Sequence, residues 1–123
     1  MDRYTEDKGH LIDIMRSIEE INGYLGDASF EDFSSRENMR QQVYYMLQTI
    51  GGASRLLSDE FKDKYRDVDW DVLYNLSFAA YNIEGEIEAS PVWYIIKEDL
   101  SMLHDQVSDL VTVLEDKDDD FMY

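Results

Sequence analysis

Residues 90–115 read SPVWYIIKEDLSMLHDQVSDLVTVLE, and the spacing of their apolar side chains admits one interpretation. Val92, Ile96, Leu100, Leu103, Val107, Leu110 or Val111, and Leu114 recur three or four apart in near-heptad order, which lines one face of an α-helix. Ser90-Pro91 is a start signal, an N-cap followed by the residue whose missing N–H costs nothing at the first helical position. At 1.5 Å per residue a helix to about Glu115 is roughly 36 Å long. A rod of that length needs partners of similar length to cover its stripe.

The remainder of the chain supplies them. Towards the N-terminus, Asp69 can cap a helix with Trp70, Leu73, Leu76, Ala80 and Ile83 inward, ending at Gly85. Ser58 caps a short amphipathic piece from Asp59 to Tyr65. Before it, Ser34 with Glu37 three residues on forms a capping-box pattern. The helix it opens carries Met39, Val43, Tyr44, Leu47, Ile50, Ser54 and Leu57 as its stripe. Gly51-Gly52 lies beside that stripe and is read as a close helix–helix crossing within one continuous helix. Ser29–Phe33 is a one-turn connector whose two Phe pin it to the core. The first helix runs from about Thr5 to Leu25, with Leu11, Ile14, Met15, Ile18, Ile21 or Asn22, and Leu25 inward and Gly26 at its C-terminal end. The fold class expected is all-α: an up-down-up-down four-helix bundle with one or two short extra helices, forming a single domain over 1–123 with an acidic tail from about 115.

Charge restricts function. The chain holds 28 Asp and Glu against 11 Lys and Arg, a formal net charge of −17. Residues 67–123 hold Lys97 and Lys117 against fifteen acids, and Asp67 to Ile96 contains no Lys, Arg or His. Polyanions are held mainly by Lys and Arg, so this field argues against direct nucleic-acid binding and against anionic membrane surfaces. The absence of Cys excludes disulfides and Cys-ligated metal. Met1–His10 is polar and mixed in charge, no apolar run is long enough to span a bilayer, and a cytoplasmic protein is expected.

The order of several short stretches carries a resemblance. They are Ile18-Glu19-Glu20-Ile21, Ser29–Phe33, Ile50-Gly51-Gly52-Ala53-Ser54-Arg55-Leu56-Leu57-Ser58, Asp69-Trp70 and Val92–Leu100. In that order and spacing the chain resembles the HEPN superfamily, and within it the HepT-like proteins encoded beside minimal nucleotidyltransferases in toxin–antitoxin pairs. The resemblance implies a helical bundle that forms homodimers, a metal-independent ribonuclease activity, no cofactor, and a minimal nucleotidyltransferase as antitoxin partner. It also implies a motif of Arg, then His, then Tyr two beyond the His. Counting from Trp70 and Trp93, those positions are Ser77, Asn82 and Glu84. All three are replaced.

The replacements matter chemically. Attack by the RNA 2′-hydroxyl needs a group that exchanges protons near neutral pH and a cation for the developing charge. An Asn amide and a Ser hydroxyl supply neither. An anion at position 84 repels phosphate by about 4 kcal/mol at 4 Å and an effective dielectric near 20. The expected function is therefore protein binding as a homodimer, with Ser77, Tyr81, Asn82 and Glu84 lining a relic cleft. The alternative is an active ribonuclease toxin that uses other residues.

The other candidates are weaker. His10 and His104 are the only histidines, and both read as surface side chains of helices rather than general bases. Asp67-x-Asp69-x-Asp71 resembles the start of a calcium loop, but Val72 stands where Gly is required and Phe78 where Glu is required. Glu84-x-Glu86-x-Glu88 reads as a solvated acidic connection, and no metal is expected. Nine Tyr, five Phe and two Trp exceed what one small core needs. Tyr74, Tyr81 and Tyr94 are accordingly expected at a protein–protein interface, because such surfaces are rich in aromatic side chains.

Overall fold

Leu11, Ile14, Ile18, Ile21 and Leu25 are all buried on one face of the first helix, α1 (Arg3–Leu25), while Asn22 faces solvent. The computed structural model describes residues 3–74 and 89–121, with side chains described over 6–74 and 92–115. Within that range the chain is an all-α, multi-helix bundle consistent with a HEPN-like architecture. α1 ends where Gly26 adopts a positive φ of 51° and donates its N–H to the Asn22 carbonyl at 2.9 Å. That left-handed conformation favours glycine.

α2 (Phe30–Ser35) begins at a complete capping box. The Ser29 hydroxyl accepts the Asp32 N–H at 3.1 Å, and the Asp32 carboxylate accepts the Ser29 N–H at 3.0 Å. The Ser29 N–H, with Arg36 also nearby, holds the Asp32 carboxyl below its ordinary range. This corrects the sequence reading at Ser34. Because α2 is nucleated by Ser29, Ser34 falls in its last turn and turns its hydroxyl to the Glu31 carbonyl instead of capping the next helix. α3 (Glu37–Leu56) starts after Arg36 with no side-chain cap. Phe33 is fully buried, whereas Phe30 stays 41% exposed and packs edge-on against Trp93, so only one of the two Phe pins α2 to the core.

α3 is continuous through Gly51-Gly52, as the sequence implied. The reason differs at Gly52, where a Cβ would meet nothing within 4 Å. Gly52 borders an open groove rather than a tight crossing. Val43, Leu47 and Ile50 seat the inner face, and buried Ser54 returns its hydroxyl to the Gly51 carbonyl at 2.8 Å.

α4 (Asp59–Lys64) is capped by Ser58, whose hydroxyl accepts the Phe61 N–H. α5 is described over residues 70–74, with Asp69 accepting the Val72 N–H at 3.2 Å and Leu73 in the core. Leu76, Ala80, Ile83 and Gly85 lie outside the described residues. α6 (Ala89–Tyr94) begins one residue before the expected cap, which places Ser90 and Pro91 both in its first turn.

A π-helical turn (Ile95–Asp99) then joins α6 to α7 (Leu100–Phe121), with the Leu100 N–H donated to the Ile95 carbonyl five residues back. In a straight α-helix, eight residues would rotate Leu100 about 80° away from Val92. The wider turn takes up that drift, and Val92, Ile96 and Leu100 all stay buried. Leu103, Val107, Leu110, Val111 and Leu114 continue the stripe, and the helical backbone runs past Glu115 to Phe121. α1 packs on both α3 and α7, placing it at the centre of the described bundle.

Candidate functional site

Asp7 is the polar residue the sequence reading missed. It is 5% exposed, and its carboxylate accepts both the N–H and the hydroxyl of Ser58, each at 2.8 Å. Ser58 thus caps α4 while tying its start to the N-terminal part of α1, fifty-one residues away. A signal was present: Asp7 lies four residues before Leu11 and seven before Ile14, in phase with the buried stripe. A carboxylate in that phase must find donors, because burying it without them is costly.

Ser77, Tyr81, Asn82 and Glu84 lie outside the described residues, as does Glu84-x-Glu86-x-Glu88. Their flanks are described. Tyr74 is 37% exposed, and the Arg55 guanidinium of α3 stands over its ring at 5.7 Å. On the other side, Tyr94 is 64% exposed and the Lys97 ammonium stands over the Trp93 ring at 4.7 Å. Trp93 also packs against Phe33 at 5.3 Å, which anchors this surface to the core. Cations over aromatic faces suit protein docking, where Arg, Tyr and Trp carry much of the binding energy. Arg55 was not singled out as a site residue from sequence, since nothing local links it to Tyr74.

His104 is half-buried and joins α7 to α1 through a 2.9 Å contact between its Nε2 and Glu19, with Asp105 at 3.7 Å from Nδ1. His10 lies along an open groove of about 860 Å³ between α1 and α3, with Asp13, Arg16, Glu20 and Arg55. Asp69 is accounted for by helix capping. Among the described residues, no three Asp, Glu or His side chains are grouped to hold a metal ion. None of the described helices is long and apolar enough to cross a membrane. Tyr44 is buried against Phe33, its hydroxyl makes no hydrogen bond, and burial raises its pKa above the ordinary tyrosine value.

Comparison with known families decides the kinship. The family model described as Ribonuclease HepT-like matches residues 14–110, from α1 to α7. The chain belongs to the HepT-like ribonuclease family. Among curated HepT-like relatives, a Methanocaldococcus jannaschii protein named as a candidate RNase is 27% identical over 100 residues, covering 81% of this chain and 92% of that one. A Thermococcus cleftensis protein named as a probable ribonuclease HepT is 26% identical over 96 residues, covering 78% and 87%. A second M. jannaschii protein, named as a gamma-glutamylcyclotransferase and candidate RNase, is 25% identical over 108 residues, which span 88% of this chain but 49% of that protein. No solved structure matches the chain.

Proposed function

We propose that this HepT-like protein has lost the family's RNA-cleaving chemistry and acts by binding protein in the cytoplasm, as a homodimer and with a minimal nucleotidyltransferase as its toxin–antitoxin partner. What supports the proposal is the set Ser77, Asn82 and Glu84, which stand where the resemblance, counted from Trp70 and Trp93, implies the motif Arg, His and Tyr. None of the three provides a cation, and Ser77 and Asn82 offer no proton exchange at neutral pH. Ser77, Tyr81, Asn82 and Glu84 would line the relic cleft, and the self-interface would carry Tyr74, Tyr81 and Tyr94. The exposed Tyr94 and the partly exposed Tyr74 support that assignment. The net charge of −17 favours a basic partner surface and would speed its association through steering.

The second reading is an active metal-independent ribonuclease, favoured by the ribonuclease names of the relatives. One assay separates the two. Purified wild-type protein is expected to leave single-stranded RNA intact at sub-stoichiometric protein, beside a Ser77→Arg/Asn82→His double variant. RNA cleavage by wild type that survives Ser77→Ala and Asn82→Ala would place the chemistry elsewhere and overturn the proposal.

A further inference from the structure

Going beyond that reading, we propose that the groove between α1 and α3 is a second self-interface. In it another copy of this chain docks about a two-fold axis, so that Arg55 of each copy meets Glu20 of the other.

The bond from Asp7, early in α1, to Ser58, just after α3, makes the two helices antiparallel. One end of the groove therefore brings His10 beside Arg55 and Leu56, while Glu20 lies towards the other end, opposite Tyr45 by the same register. By that register the charges alternate along the groove in the order Arg55, Asp13, Arg16 and Glu20. A two-fold axis across its middle exchanges those ends, and an isologous contact requires a surface that is complementary to itself in that way. Leu56 and Tyr45, each 66% exposed, would also change places and cover one another.

Charge favours a second copy as the occupant. With 28 acids against 11 basic residues, two copies of this chain repel over most of their surfaces. The groove is an exception, because Arg16 and Arg55 share it with Asp13 and Glu20. None of these four makes an ion pair among the described residues. Asp13, Arg16 and Glu20 remain available to charges brought by a docking surface of the same composition, and Arg55, which stands over the Tyr74 ring, has no carboxylate partner among the described residues. A strongly basic partner has a better place nearby, on the surface around Trp70 where five aspartates outnumber Lys62 and Arg66. Gly52, with open space where its Cβ would be, lets a neighbour approach the groove closely.

Sedimentation velocity across a concentration series tests this with four proteins: wild type, Arg55→Glu, Glu20→Arg and the double charge swap. Wild type should self-associate. Each single reversal should weaken that association by about tenfold or more, as expected when opposed charges become like charges. The double swap should restore it, because each new Glu again faces a new Arg. Unchanged sedimentation in both single variants overturns the proposal, and so does failure of the swap to restore association. Tyr94→Asp is run alongside to keep the two interfaces apart. Because Arg55 also stands over Tyr74, Glu20→Arg is the reversal set against it. Loss in Tyr94→Asp but not in Glu20→Arg leaves the Tyr74–Tyr94 interface standing and removes this one, whereas loss in Glu20→Arg, restored by the swap, with Tyr94→Asp unchanged does the opposite. If the reversals spare self-association but abolish binding of a purified nucleotidyltransferase partner, the groove belongs to that protein and the self-interface is wrong.

Discussion

α1 is tied to its two neighbours in different ways. Against α3 and α4 it offers a buried carboxylate, Asp7, saturated by two donors of Ser58. Against α7 it offers Glu19, 54% exposed, to a His104 that is 27% exposed. Both contacts are short, yet their energetic weights should differ several-fold. A buried charged group with both partners in place strands donors when it is removed, whereas an exposed ion pair exchanges one solvated arrangement for another. Length of contact is a poor guide to its worth; burial is the better one.

The comparison breaks most visibly at Asp7. Asp7→Ala leaves the Ser58 N–H and hydroxyl without their acceptor and should cost about 2–3 kcal/mol in urea unfolding, the range for hydrogen bonds to a charged group. A loss below that of Glu19→Ala would reverse the ranking of the two seams. On the same α1–α3 seam, Gly52→Ala should stabilise by about 1 kcal/mol, since the methyl meets open space and the helix gains propensity. The midpoint is read in dilute protein, where no second copy sits in the groove, and a drop there would mean that the methyl meets a neighbour within the chain.

Tyr44, on the inner face of α3, gives a smaller effect with a pH signature. Its folded-state pKa is raised by burial, so its contribution is fully present below about pH 10, the unfolded tyrosine value, and fades as pH rises through the higher folded value. Tyr44→Phe removes a buried hydroxyl that has no partner and should change stability at neutral pH by no more than about 1 kcal/mol, in the stabilising direction. Urea titrations at rising alkaline pH should then show a shallower loss for the variant than for wild type. The smallest effect is expected at the other seam. Glu19→Ala should cost about 0.2–1 kcal/mol, and added salt should diminish it further.

Much of this architecture is legible in the chain. The stripes of α1, α3 and the α6–α7 rod were read from spacing, and most side chains named for them are buried, with Ile21 chosen over Asn22, while Met15 and Met39 are only partly buried. The caps at Gly26, Ser58 and Asp69 were read from residue type. Ser34 was misread because two capping patterns overlap there, and the one beginning at Ser29 closes first. The proposed site at positions 77, 82 and 84 rests on the sequence alone, because those residues lie outside the described ones. What surrounds Tyr74 was not legible, since Arg55 reaches its ring from another helix.

The chain by itself determined the helices, most of their caps and the family, because three-to-four spacing, capping chemistry and ordered motifs are properties of neighbouring residues. Only the tertiary structure decided that Asp7 is buried on Ser58, that Gly52 faces open space, and that a π turn keeps Val92 and Leu100 on one face. Each of those depends on what another segment brings alongside: the phase of Asp7 marks it for burial, but no local spacing names Ser58, fifty-one residues on, as its partner.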